Sequence, residues 1–83
     1  MEIARFVEAI CGKDEFLYLP SAEKVIVPRE GTLAIDAMPP QGGLQILDFL
    51  VAGDVVSASV VHRTPGVSLR AITSALLVSF LRL

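Results

Sequence analysis

Residues 45–56 read QILDFLVAGDVV, two apolar runs joined through Gly53 and Asp54. In the first run Ile46 and Asp48 are expected on one face and Leu47 and Phe49 on the other, which is the period-2 pattern of a strand with one buried side. Gly53 accepts positive φ and the Asp54 side chain can bond nearby backbone amides, so this pair predicts a turn. The stretch therefore predicts two strands and the corner between them.

Short β-type runs separated by turn residues continue along most of the chain. They occupy residues 16–19, 24–27, 32–38, 44–50, 55–61, 67–72 and 75–81. Strands at spacings of about 8–12 residues are typical of a sandwich or a roll. At the start of the chain, Ile3, Phe6, Val7 and Ile10 have helical spacing and Gly12 follows them, which predicts a helix.

The predicted fold class is therefore mainly β, a small jelly-roll or double-stranded β-roll with a short N-terminal helix. One domain is expected over residues 1–83, with the helix in residues 1–12 and the roll in residues 16–81. The length of 83 residues supports this prediction, because such a chain can bury a single core but not a deep catalytic cleft as well.

Several short motifs share their order and spacing with a known domain. They are Glu30-Gly31-Thr32-Leu33-Ala34, Gln41-Gly42-Gly43, the run from Gln45 to Phe49, Gly53-Asp54, Leu69-Arg70-Ala71-Ile72-Thr73 and Leu76-Leu77-Val78. From about residue 12 to residue 81, they resemble the sensor domain of the Crp/Fnr transcription regulators, the β-roll shared with cyclic-nucleotide-binding domains. The resemblance implies a sensing module in which Gly31, Gly53 and Asp54 are the turn residues that define the fold.

The sequence departs from that family where cyclic nucleotides bind. The family's cassette has Gly-Glu after the Gly-Asp strand, and this chain has Ser57 and Ala58 there. An arginine and a hydroxyl residue that grip the cyclic phosphate are replaced by Pro65 and Gly66. Loss of the bidentate cation removes the strongest contact to a phosphate. We therefore expect no useful binding of cyclic AMP or cyclic GMP, although Arg63 could reach in from the loop.

In the family, a variable effector segment follows the Gly-Asp pair. The candidate effector-loop residues here are Ser57, Ser59, His62, Arg63 and Arg70. The residue types alone favour plainer roles: His62 as a solvated residue of a Pro-Gly loop, the serines as strand hydroxyls, and Arg70 as a structural pairing partner. No catalytic residue, metal site or cofactor is predicted, because a single histidine without neighbouring ligands does not make a metal site.

Charge and cysteine content exclude several classes of function. The net charge is −2 and the seven basic residues are scattered, which disfavours direct nucleic-acid binding. The single Cys11 excludes an internal disulfide and a Cys-rich metal or iron–sulfur site. Glu2, Arg5 and Glu8 interrupt any signal peptide, and no apolar run reaches the ~18–20 residues needed to span a bilayer. We expect a cytoplasmic protein with no membrane contact.

The apolar content predicts a partner. Hydrophobic residues make up 53% of this small chain, which leaves too little interior to bury them all. No charge occurs from Ala71 to Leu81, so both faces of the last strand are largely apolar, and Leu77 and Leu81 are the interface candidates. In the family a dimerisation helix and a helix-turn-helix follow the roll, and both are missing before Leu83. Pairing of two rolls or docking on a protein partner, such as a related transcription regulator, would replace the helix.

The sequence thus predicts a non-enzymatic regulatory module without its own DNA-binding domain. It would act through protein–protein contacts, in a homo-oligomer or with a partner, or through an unknown small effector. The alternative is a small cupin-like β-barrel enzyme or ligand-binding protein, since rolls and jelly rolls share their topology. Cupin chemistry needs clustered His and Glu ligands, and one histidine is too few.

Overall fold

The computed structural model describes residues 3–19 and 21–82, and the side chains of residues 8–19 and 21–80. The described residues form seven strands and one short helix. In chain order these are β1 (Ile3–Cys11), β2 (Lys24–Glu30), β3 (Leu33–Ala37), β4 (Gln45–Leu50), β5 (Val56–Ser57), α1 (Ser59–Arg63), β6 (Val67–Ala71) and β7 (Ala75–Arg82). The prediction of a mainly β fold is confirmed.

Two antiparallel sheets enclose the core. The larger sheet has the strand order β1-β7-β2-β5, and the smaller has the order β4-β3-β6. The largest fully buried apolar side chains are Ile26 on β2, Leu33 on β3 and Leu69 on β6, so both sheets contribute to one core. The remaining buried members of the cluster are Leu50, Val56, Ala71, Ala75 and Leu77. This two-layer arrangement is the roll that the turn spacing predicts.

The predicted N-terminal helix is wrong. Residues 3–11 form strand β1, which pairs antiparallel with β7 from Ile3 opposite Arg82 to Cys11 opposite Ala75. A helix of about ten residues is marginal on its own, so a long strand that offers backbone partners decides the conformation. Ile10, assigned to the apolar helix face, is instead 80% exposed. The roll therefore begins at Ile3 rather than at residue 16.

Two predicted strands are only partly strands. Residues 55–61 form the two-residue β5 and then enter α1, where the amides of Val61 and His62 both donate to the Ala58 carbonyl at 3.1 Å. Residues 16–19 contribute one isolated bridge, between Phe16 and Arg70. The strand predicted at residues 55–61 ends early for a local reason: the Ser57 hydroxyl accepts a hydrogen bond from the Ser59 amide at 3.3 Å, which turns the chain.

The interface prediction fails at Leu77. This side chain is only 6% exposed and belongs to the core cluster, because β7 lies between β1 and β2 in the centre of its sheet. On the other face of β7, Val78 is 4% exposed and stands opposite Val27 on β2 and Glu8 on β1. The burial of Leu77 and Val78 accounts for apolar residues on both faces of β7 at these two positions. The side chain of Leu81 lies outside the described residues.

Candidate functional site

Three of the five effector-loop candidates meet at one small cavity. The cavity has a volume of about 310 Å³ and is lined by Ala22, Glu23, Ser57, Ser59 and Arg63. We call it the serine pocket. It is formed where the loop before β2 meets β5 and α1, so residues more than thirty positions apart share its wall.

Backbone pairing holds the two sides of the serine pocket together. Val25 on β2 stands opposite Ser57 on β5, and the Ala58 amide donates to the Lys24 carbonyl at 2.8 Å. Ala58 has no exposed surface, which anchors the start of α1 against the sheet. The loop that carries Glu23 and the turn that carries Ser57 are therefore fixed relative to each other.

The polar groups of the serine pocket differ in charge. The hydroxyls of Ser57 and Ser59 are hydrogen-bonded to each other at 2.9 Å. Arg63 is exposed at the end of α1, and within the described part of the chain its guanidinium is in no hydrogen bond or ion pair. Glu23 supplies a carboxylate to the same cavity. A cation, an anion and two hydroxyls can together hold a small polar molecule that carries an anionic group and a hydrogen-bond donor.

His62 is directed away from this cavity. Its Nε2 donates to the Leu19 carbonyl, so the ring ties α1 to residues 16–19. Neither His62 nor Leu19 lines the serine pocket. The contact differs from the plainer interpretation of His62 as a solvated loop residue, because His62 lies within α1 and its ring is hydrogen-bonded to the backbone.

Arg70 also lies apart from the serine pocket, in an ion-pair network. Its Nε donates to Oδ2 of Asp36 at 2.7 Å and its Nη2 to Oδ1 at 3.4 Å, while Nη1 lies 3.5 Å from the Asp14 carboxylate. The hydrogen bond to Asp36 raises the pKa of Arg70 above its ordinary value, and the charges of Asp36 and Asp14 act in the same direction. These contacts favour the plainer interpretation of Arg70 as a structural pairing partner.

Asp36 is the residue that the sequence reasoning missed. It lies on β3, the central strand of the smaller sheet, and its side chain has no exposed surface. The register places Asp36 opposite Ser68, so Arg70 is two residues further along β6 on the same face. The signal was a lone carboxylate in the otherwise apolar run 33–37.

A second cavity, of about 230 Å³, lies between the larger sheet and residues 15–19. Cys11, Lys24 and Leu77 line it from the sheet, and Glu15 and Tyr18 from the loop. Burial raises the pKa of the Cys11 thiol, and the Glu15 carboxylate raises it further. The thiol is therefore held in its protonated form, which is a poor nucleophile.

Within residues 3–19 and 21–82, no group of three or more His, Cys, Asp or Glu side chains is placed to hold a metal ion. None of the described helices has the length and apolar character needed to cross a membrane.

No family model matches the sequence, and no curated protein matches it. Solved structures do match its fold. A putative cAMP-binding regulatory protein from Silicibacter pomeroyi DSS-3 aligns with a TM-score of 0.77 and 24% identity, over 92% of this chain and 37% of that one. The N-terminal domain of a transcriptional regulator from Streptomyces coelicolor A3(2) aligns with a TM-score of 0.74 and 14% identity, over 92% and 56%. The heme domain of CooA from Carboxydothermus hydrogenoformans aligns with a TM-score of 0.70 and 18% identity, over 89% of this chain and 52% of that one.

These similarities confirm the fold that the sequence motifs imply. The chain has the cyclic-nucleotide-binding-like β-roll, the fold of these regulator domains. It spans about half, or less, of the length of each of the three structures.

Proposed function

We propose that this chain is a cytoplasmic regulatory module, not an enzyme, that binds a small polar effector in the serine pocket and acts through protein contacts. The observation that carries the proposal is the meeting of Ser57, Ser59 and Arg63 at one cavity. Ser57 stands where the sequence resemblance places the first residue of the family's Gly-Glu pair. The β-roll fold shared with regulator domains supports the same interpretation.

The chemistry of the serine pocket indicates the class of effector. Arg63 can pair with a carboxylate or a phosphate, and Glu23 can accept a bond from an ammonium or hydroxyl group. An effector that carries both, such as an amino acid or a hydroxy acid, would satisfy both charged groups. A purely anionic ligand would instead place its charge beside the Glu23 carboxylate.

Replacing Arg63 by glutamine is expected to abolish effector binding. The assay is thermal unfolding of the chain against a panel of amino acids and hydroxy acids. A ligand at ten times its dissociation constant adds about 1.4 kcal/mol of stability, which raises the Tm of a domain of this size by roughly 6–11 °C. The Arg63→Gln variant should lose this shift because it removes the cation but keeps a similar shape.

The matched control is Arg29→Gln. Arg29 is an exposed arginine 3.8 Å from Glu8 and does not line the serine pocket, so this variant should keep the shift. A panel without any stabilising ligand, or a shift that Arg63→Gln retains in full, would count against the serine pocket as an effector site.

Cyclic AMP is expected not to bind usefully. Pro65 and Gly66 stand where the family's phosphate-gripping pair belongs, and Glu23 would lie near the phosphate if the nucleotide entered the serine pocket. Calorimetric titration should therefore show no saturable binding tighter than ~100 μM, about 5.5 kcal/mol of binding free energy. Tighter binding would show that the pocket is a phosphate site, and its loss in Arg63→Gln would assign that site to Arg63.

A further inference from the structure

Strand β4 is an unpaired sheet edge with exposed apolar side chains. It is the first strand in the order β4-β3-β6 and pairs only with β3 among the described strands. Ile46, Leu47 and Phe49 are 47%, 57% and 53% exposed. Such an edge presents free backbone donors and acceptors to a further strand.

The opposite edge of this sheet is covered. Beside β6, the amides of Asp14 and Leu17 donate to the carbonyls of Ala71 and Leu69 at 2.7 and 2.9 Å, and the Ala71 amide donates to the Glu15 carbonyl. Among the described residues, the β4 edge is therefore the open edge of this sheet. A second copy that paired there would therefore form a closed pair rather than a growing filament.

Charge separates β4 from β1, the edge strand of the larger sheet. β1 carries Arg5 and Glu8, and charges on an edge oppose the approach of another strand. Residues 37–47 carry no charge at all, and the only charge within β4 is Asp48. A partner strand at β4 therefore desolvates one carboxylate, and it must offer that carboxylate a hydrogen-bond donor.

An irregularity within β4 makes the strand complementary to itself. Ile35 stands opposite Asp48 and Ala37 opposite Gln45, so Gln45 and Asp48 lie on the same face although they are three residues apart. In an antiparallel pair of two β4 strands centred between residues 46 and 47, Gln45 of one copy faces Asp48 of the other. The amide of Gln45 is then placed to donate to the carboxylate.

We propose that two copies of this chain associate through β4, in antiparallel register, with Gln45 opposite Asp48 and Ile46 opposite Leu47. The two Asp48 residues are then about 10 Å apart along the strands, close to the Debye length at physiological salt. Oδ1 of Asp48 already accepts from the Phe49 amide at 2.8 Å, so its second oxygen receives Gln45. This inference specifies the protein contact in the proposed function, and it involves no residue of the serine pocket.

The first test is the oligomeric state, measured by light scattering during size exclusion between 10 and 500 μM. A concentration-dependent dimer is expected for the unmodified chain. Leu47→Lys should abolish it while the circular dichroism spectrum stays unchanged. Ile10→Lys is the matched control. Ile10 is an 80% exposed apolar residue on β1, the edge strand of the larger sheet, so this variant should leave the dimer intact. A monomer throughout, or a dimer that Leu47→Lys preserves, would overturn the proposal.

The second test is the register, in a Cys11→Ser background. The double variant Gln45→Cys with Asp48→Cys should form a disulfide-linked dimer, because facing residues in an antiparallel pair lie about 4.5–5.5 Å apart between Cα atoms. Within one chain these positions are too distant to be bridged. The single Gln45→Cys variant should not be linked. No link in the double variant, or an equal link in the single variant, contradicts this register. Effector binding in the Leu47→Lys monomer then tests the serine pocket separately.

Discussion

Replacement of Arg70 by methionine is expected to destabilise the domain more than replacement of any other partly exposed side chain discussed above. The Asp36 carboxylate has no exposed surface, and both of its side-chain hydrogen bonds come from Arg70. Removing the cation leaves a buried charge without compensation, which costs about 3–5 kcal/mol. A domain of this size has roughly 4–12 kcal/mol in total. Urea denaturation followed by circular dichroism should therefore show a large fall in the midpoint.

The companion variants distinguish the buried charge from the loss of a long side chain. The double variant Arg70→Met with Asp36→Leu should recover most of the stability, because an apolar pair of similar volume often replaces a buried ion pair without cost. Arg29→Met removes an exposed ion pair and should change the free energy of unfolding by less than about 1 kcal/mol. Equal midpoints for Arg70→Met and Arg29→Met would show that Asp36 does not depend on Arg70.

Local signals in the sequence predicted most of the roll. The Gly53-Asp54 corner was predicted correctly because the turn is made within a few residues. Gly53 has φ 94°, and Asp54 accepts from the Val51 amide at 2.8 Å while its own amide donates to the Val51 carbonyl. Such contacts depend on residue type and short spacing, which the sequence displays directly.

The strand at residues 45–50 was also predicted, but the assignment of its faces was wrong. Ile46 stands opposite Asp36 and Asp48 opposite Ile35, so Ile46 and Asp48 lie on opposite faces, and five of the six residues of β4 are exposed.

The N-terminal strand could not be predicted in this way. The apolar spacing from Ile3 to Ile10 fits a helix, and the conformation is decided by pairing with β7, about seventy residues away in the chain. Local propensity is a weak signal where a long-range partner supplies a complete set of backbone bonds. The same long-range pairing places Leu77 in the core rather than at a surface.

The candidate site was predictable in part. Ser57 and Arg63 were singled out from the resemblance, and the single turn of α1 brings both to one cavity. Glu23 was not predicted, because it reaches that cavity from the loop before β2 through the pairing of β2 with β5. Asp36 itself was visible in the sequence, as a charged residue inside an apolar strand. Its partner Arg70 on β6 could not be identified without the strand register.

Replacement of Gly31 by alanine is expected to destabilise the domain by about 2–5 kcal/mol. Gly31 has φ 84°, a region that costs other residues about 1–2 kcal/mol. An added Cβ would also lie 2.9 Å from the Ala75 Cα and would collide with the Ser74 carbonyl oxygen. These are backbone atoms at the start of β7 and cannot rotate away, so the crowding adds a further cost of about 1–3 kcal/mol.

Gly53→Ala separates the two causes of this loss. Gly53 has a similar φ of 94°, but nothing lies within 4 Å of the Cβ that alanine would add. It should therefore lose only the conformational part, about 1–2 kcal/mol. The corner at Gly31 is also joined to the turn before β7 by the Thr32 amide, which donates to the Thr73 hydroxyl at 3.1 Å, so the chain cannot easily move aside. Urea midpoints should fall further for Gly31→Ala than for Gly53→Ala. Equal midpoints would mean that the close approach of Gly31 to Ser74 does not constrain the fold.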